Sequence, residues 1–120
     1  MADTIVRDFF LGFVRIHVLH HAAKEPIYGL GMIEELARHG YDLGPGTMYP
    51  LLHGMEQAGY LRMVERHVNG RPRKYYRIPP AGRKVLTEAR RKMAELVGEV
   101  ANATPTEPRP PRASAARSGS

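Results

Sequence analysis

Leu61-Arg-Met-Val-Glu-Arg-His-Val-Asn-Gly-Arg-Pro-Arg-Lys-Tyr-Tyr-Arg77 is the stretch whose reading decides the fold. Asn69-Gly70 is a strong hairpin signal, because these two residue types accept the positive φ angles of a tight turn between strands. The pattern predicts two short strands, Leu61 to His67 and Arg73 to Ile78, joined through Val68-Asn-Gly-Arg-Pro72. Side chains alternate along a strand, so Lys74, Tyr76 and Ile78 share one face and Arg73, Tyr75 and Arg77 the other. A basic face thus opposes a more apolar one. Arg62, Arg66, Arg71, Arg73, Lys74 and Arg77 stand against the single acid Glu65, a net +5 in a chain whose total is +6. Such a concentration fits a polyanionic partner.

Upstream, Leu43-Gly-Pro-Gly46 reads as a turn, and Thr47 opens a helix running to Gly59 in which Leu51, Leu52, Met55 and Ala58 recur at helical spacing. Pro50 is expected in the first turn, where backbone amides lack intrahelical partners. Before it, Tyr28 to Gly40 forms a short amphipathic helix with Ile33, Leu36 and Ala37 on one face, the acids outward and Gly40 as its stop. The first segment, Asp8 to Ala23, is apolar on more than one helical face, with Asp8 expected as its N-terminal cap. A domain this small covers one face, leaving the other for a second subunit.

Downstream, Leu86, Ala89, Met93, Leu96 and Val100 are spaced 3, 4, 3 and 4 in a helix from Ala81 to Val100, the stagger of a coiled-coil seam. Val85 and Val97 widen the stripe, so this helix is expected to pack on its own domain and on a dimer mate. Residues 101–120, with Pro105, Pro108, Pro110 and Pro111 among Ala, Ser, Thr and Arg, read as a disordered tail. The organisation expected is a DNA-binding domain over 1–79, a dimerisation helix over 80–100 and the tail over 101–120.

Composition narrows the function classes. At 120 residues, one small domain is favoured. The absence of Cys removes disulfides, thiolate nucleophiles and Cys-based metal centres. No apolar run approaches the ~18–20 residues of a membrane span, and Met1-Ala-Asp-Thr4 lacks the order of a secretory signal, so the expectation is a cytoplasmic protein without membrane partners. No Gly-rich phosphate loop, nucleophile elbow or paired carboxylates are seen, and Glu34, Glu35, Glu88 and Glu95 fit solvated helix faces. The chain reads as no enzyme, with no cofactor.

The order helix, helix, turn, helix, basic hairpin, long helix is that of a winged helix-turn-helix with an added dimerisation helix, mainly α with a small β-hairpin. Tyr28-Gly29, Leu43-Gly-Pro-Gly-Thr-Met-Tyr-Pro-Leu-Leu52, Met55-Glu56, Gly59-Tyr60-Leu61 and Gly70-Arg-Pro-Arg-Lys-Tyr-Tyr-Arg77 strongly resemble the PadR family of bacterial transcriptional regulators. The resemblance covers roughly residues 10–97. It departs at Pro79-Pro80-Ala81-Gly82, where the family usually has Thr-Glu-Glu-Gly, and that bears on a helix cap. The short C-terminal helix is similar to that of the smaller PadR-like subgroup. The resemblance implies a repressor acting on a neighbouring operon and a small hydrophobic effector held around the dimer interface.

The candidate DNA surface follows from physical chemistry. A helix N-terminus offers amides to phosphate and its outer face enters the major groove. Thr47, Tyr49, Pro50, His53 and Gln57 form that face, with hydroxyls of Thr47 and Tyr49 for phosphates and His53 and Gln57 for base edges. Arg71, Arg73 and Lys74 of the wing follow phosphates or enter a minor groove. Tyr75 and Tyr76 read as sheet and core residues, with one of them near DNA. Binding by a homodimer calls for a pseudo-palindromic operator, and DNA-bound protein is expected on the nucleoid.

The dimer contacts expected are Phe10 and Phe13 with Leu86, Ala89, Met93, Leu96 and Val100. Phe9 and Phe13 are candidates for an effector pocket, although their spacing is equally that of core and interface. A metal-responsive DNA-binding regulator is one alternative: His17 and His21, four apart with His20 beside them, are weak candidates for a divalent ion, but no Cys or nearby carboxylate is seen to complete the set, so no metal is assigned. A winged module that holds only a protein partner is the remaining alternative, for which the acid-rich second helix would serve.

Overall fold

The structure, a computed structural model, describes residues 2–103. In chain order the elements are α1 (Ala2–Ala22), α2 (Gly29–Arg38), α3 (Pro45–Gln57), β1 (Arg62–Val68), β2 (Arg71–Arg77) and α4 (Pro80–Ala103). The chain divides into two compact units, one ending at Glu88 and the other beginning at Ala89. The expected tail overlaps the end of α4 at 101–103, and its remainder lies outside the described residues.

In the first unit, α1 begins well before Asp8, so Asp8 lies within the helix and does not cap it. Ala2 to Arg7 contain neither Gly nor Pro, and a cap residue stops a helix only where the preceding chain cannot continue it. Val14, Val18 and Ala22 are buried at four-residue intervals, with Leu19 beside them. Helix α2 buries Met32 and Leu36. Ala37, expected on that face, is exposed, and Ile33 is half-buried. Gly40, at φ +88°, closes the helix, with the Tyr41 amide donating to the Leu36 carbonyl at 2.9 Å.

Helix α3 starts earlier than expected. Pro45, whose fixed φ suits the first helical position, opens it behind Gly44, and Pro50 consequently lies inside the helix rather than in its first turn. Met48, Leu51, Leu52 and Met55 are buried. Ala58, expected in that stripe, is the exposed C-cap.

The hairpin is tighter than expected: only Asn69 (φ 57°) and Gly70 (φ 79°) form the loop, and Pro72 lies within β2. Val68 pairs with Arg71 and His67 with Pro72. Hydrogen-bonded and non-bonded pairs alternate from the turn, which puts Pro72 where a strand residue's N–H points outward and none is missed. The same alternation turns the Tyr76 peptide away from β1. Its N–H donates to the Ile27 carbonyl at 2.7 Å, and the Ile27 N–H donates to the Tyr76 carbonyl at 2.9 Å. The segment ahead of α2 is thereby tied to the far edge of β2.

Val14 and Val18 from α1, Leu36 from α2, and Met48 and Leu52 from α3 are the most enclosed side chains. Burying each stabilises the fold by about 1.5–3 kcal/mol. Leu61, Tyr76, Ile78 and Leu86 join the same cluster. Leu86 is therefore not part of an exposed seam: at 3% exposure it is enclosed within its own unit. Pro80 opens α4, and the Pro79 carbonyl accepts from the Arg83 amide at 3.0 Å, so a side-chain cap is not what starts this helix. In the second unit Ala89 and Met93 are half-buried, Leu96 and Val97 are exposed, and the Val100 side chain lies outside the described residues.

Candidate nucleic-acid interface

Because α3 spends Met48, Leu51, Leu52 and Met55 on the core, its opposite side is left to solvent. Tyr49, Pro50, His53 and Gln57 are all exposed there, while Thr47 is half-buried. Pro50 has no amide to donate to the Gly46 carbonyl one turn back, and Gly46 is exposed, so water can satisfy that acceptor. Tyr49 is seated against α2: a Cβ on Gly29 would stand under 3.0 Å from three atoms of the Tyr49 ring. Tyr28, Gly29, Leu30, Tyr49, Arg73, Lys74 and Tyr76 line a cleft of about 300 Å³ between the helices and the hairpin.

Residues directly opposite in an antiparallel pair share a face. The pairs Arg62–Arg77, Val64–Tyr75, Arg66–Arg73 and Val68–Arg71 accordingly put five arginines on one face of the hairpin. Met63–Tyr76, Glu65–Lys74 and His67–Pro72 form the other. Of the three wing residues expected to act together, Arg71 and Arg73 do share a face, and Lys74 lies on the reverse, directly opposite Glu65. Sequence reading passed over Arg62, Arg66 and Arg77 as site residues. The signal for them was the parity that a two-residue Asn-Gly loop imposes on the register.

Two aromatic rings run among these charges. The Arg66 guanidinium stands 5.0 Å from the Tyr75 ring centre, Tyr75 and Tyr28 are 5.3 Å apart, and the Arg73 guanidinium is 4.3 Å from Tyr28. Tyr75 is thus the tyrosine on the basic face. Tyr76 is buried, and its hydroxyl pKa is raised first by burial, then by Glu56 and Tyr49.

His17 and His21 of α1 gather with His39 beside α2, and His21 and Glu35 line a second pocket that Tyr28 also borders. His17 and His21 do share a face, with rings 6.1 Å apart, and His39 lies 6.0 Å from His17. A carboxylate not anticipated from the sequence, Glu35, meets two of the three rings: its Oε2 is 3.6 Å from His21 Nε2 and 3.2 Å from His39 Nε2, and its Oε1 accepts from Arg38. Those hydrogen bonds, Arg38 first and then His39, lower the Glu35 pKa. The His17 ring packs edge-on to Phe13 at 4.8 Å, and its Nδ1 is buried without a protein partner. Burial, followed by His21 and His39, lowers the His17 pKa. Among the described residues no group of three or more His, Cys, Asp or Glu is arranged to hold a metal ion. Phe10 and Phe13 are half-buried against Tyr41 at 5.4 and 5.9 Å, and Phe9 is 69% exposed.

Helix-turn-helix and basic hairpin on one small core define a winged helix protein. The match to known proteins narrows this class. Residues 18–88 match the model of the "Transcriptional regulator PadR-like family", and the chain belongs to that family. It is 50% identical over 95 residues to "Transcriptional regulator Rv3488" of Mycobacterium tuberculosis, covering 79% of this chain and 89% of that one. A PadR family transcriptional regulator from Eggerthella lenta superposes with a TM-score of 0.75 at 30% identity, covering 88% of this chain and 94% of the other. A PadR-like transcriptional regulator from Bacillus cereus gives 0.73 at 26% identity, covering 80% and 95%. The chain is a transcriptional regulator and not an enzyme. Among the described residues no helix is long and apolar enough to cross a membrane.

Proposed function

We propose that this regulator binds double-stranded DNA as a homodimer, at a pseudo-palindromic operator, and represses the genes beside it. The observation that carries the reading is the side chains left unspent by the core: the outer face of α3 together with five arginines on one face of the hairpin. Tyr49, Pro50, His53 and Gln57 face the major groove, with Thr47 at its edge, and a glutamine amide such as that of Gln57 can pair bidentately with adenine once it leaves Glu56. Arg71 and Arg73 contact phosphates or a narrow minor groove, joined by Arg66, while Lys74 reaches DNA from the cleft side. The place of action is the nucleoid.

Two exposed apolar stripes support the dimer. Ile5, Val6 and Phe9 of α1 are 74, 64 and 69% exposed, and Leu96 and Val97 of α4 are 54 and 64% exposed. Apolar side chains grouped in this way mark association surfaces. A second copy covers them, with Phe10, Phe13, Ala89 and Met93 alongside; Leu86 drops out because its own core uses it. A small hydrophobic effector beside Phe9 and Phe13 would act by shifting the two copies relative to one another.

With about six phosphates neutralised per dimer, the log–log salt slope of binding is near −5. Titration of a duplex across salt concentrations tests this directly, together with sedimentation to fix the stoichiometry. A slope near zero, or one chain per site, refutes the reading.

A further inference from the structure

Arg66 and Arg73 are direct cross-strand partners on the hairpin. Like charges in that relation repel, and an isolated hairpin would splay them apart. Here each guanidinium lies over a different ring, Arg66 over Tyr75 and Arg73 over Tyr28, and the two rings are in turn 5.3 Å apart. The order in space is cation, ring, ring, cation. Three of the four members belong to the hairpin, and Tyr28 alone comes from outside it.

Tyr28 is held from both sides. One residue earlier, Ile27 makes two backbone hydrogen bonds to Tyr76 of β2; one residue later α2 begins, with Tyr28 as its N-cap in extended conformation. Its ring has Gly31 beneath it, where a Cβ would already be tight at 3.0 Å. A guanidinium resting on this ring is fixed relative to α2, whereas one on Tyr75 is fixed only relative to the hairpin.

We propose that Tyr28 is a positioning residue for DNA binding: by carrying the Arg73 guanidinium and bracing Tyr75 under Arg66, it presets two like charges on the face that meets the phosphates and locks the wing to the helix-turn-helix. The inference rests on the DNA-binding reading above. The repulsion left in the free protein is relieved when phosphates arrive, so Tyr28 acts on affinity by lowering the ordering cost of the arginines.

The test compares Tyr28→Phe, Tyr28→Leu and the pair Arg66→Ala with Arg73→Ala, each in the full chain, for binding to a random-sequence duplex of about 40 bp at several salt concentrations. Tyr28→Phe keeps the ring and loses only the hydroxyl that Arg73 also meets, so it binds within about two-fold of the wild type. Tyr28→Leu keeps bulk without the ring's negative face and weakens binding about three- to five-fold per wing. Its salt slope stays unchanged because no charge is removed, and in a background with both Arg66→Ala and Arg73→Ala it has no further effect on affinity. Equal binding by wild type and Tyr28→Leu overturns the proposal, as does an equal weakening in that double-Ala background. The Arg73 Nε–Hε resonance of the DNA-free protein needs no variant: ring current shifts it upfield if the stack exists, and a random-coil position overturns the proposal. A wild-type chain that shows the shift and binds no duplex overturns the parent reading instead, and this inference with it.

Discussion

Replacing Gly29 by Ala separates the seating of Tyr49 of α3 from the stability of the fold. The added Cβ would stand under 3.0 Å from three atoms of the Tyr49 ring, so the ring must leave. Tyr49 is 46% exposed and has solvent to move into. Displacing it costs about 0.5–1.5 kcal/mol in rotamer strain, and the helix preference for Ala over Gly, reduced at this first position of α2, offsets part of that. Thermal stability should therefore change little. DNA binding should change more, because a hydroxyl taken from a charged phosphate forfeits about 1.5–3 kcal/mol, or at least ten-fold in affinity per half-site. Gly82→Ala is the contrasting case. There the Cβ would meet the Tyr60 carbonyl oxygen and Ile78 Cγ1 under 3.0 Å, and a backbone oxygen cannot swing away, so stability falls by about 3 kcal/mol. Melting followed by circular dichroism and binding followed by fluorescence anisotropy read the two effects independently. The reasoning is refuted if Gly29→Ala binds DNA as tightly as wild type, or if it remains costly for binding in a Tyr49→Ala background.

Three further outcomes follow from the same geometry. Replacing Arg66 and Arg73 by Ala should flatten the salt slope of DNA binding by about 0.9 for each phosphate no longer neutralised, measured by titration at several salt concentrations; an unchanged slope removes that face of the wing from the interface. Leu86→Lys should unfold the chain, because a charge replaces a side chain at 3% exposure, whereas Leu96→Lys with Val97→Lys should leave it folded and monomeric by sedimentation. His17 has a folded-state pKa below its ordinary 6.5, so the unfolded chain binds its proton first as pH falls. Its stabilising contribution is complete above pH 6.5 and is lost as pH drops through the lowered value. His17→Gln should flatten that part of a melting-temperature profile, and an unaltered profile would assign the acid sensitivity elsewhere.

Much of the fold was legible because its signals are local. Asn69-Gly70 announces its own turn, and Gly40 closes α2 through a positive φ that few other residues accept. The errors arose where two signals of one kind compete. Pro45 and Pro50 both suit a first turn, and only the earlier can hold it. Asp8 has the chemistry of a cap, but nothing before it ends the helix. Leu86 fits both a heptad seam and a core, and the sequence spacing of the two is the same. Met48 joins the buried stripe and Ala58 leaves it because α3 begins and ends two residues earlier than expected, which shifts the stripe along the same face.

The site was legible in part for the same reason. The outer face of α3 follows from its helical period, so Tyr49, Pro50, His53 and Gln57 emerge together. The hairpin required its register: strand alternation alone sets Lys74 on the reverse of Arg73, but only a loop of two residues rather than five aligns Arg66 with Arg73. Tyr28 carries no local signature of its role. It lies far from Arg73 in the chain, and the Ile27–Tyr76 bridge that joins them is a tertiary event.

Recovery of fragments from the source organism's sheared genomic DNA by the purified protein, at about 150 mM salt, followed by sequencing, tests the central claim most directly. The account predicts a few enriched sites sharing an inverted repeat whose half-sites lie about 10 bp apart, each bound by two chains. Uniform recovery across the genome, or no recovery, would contradict it.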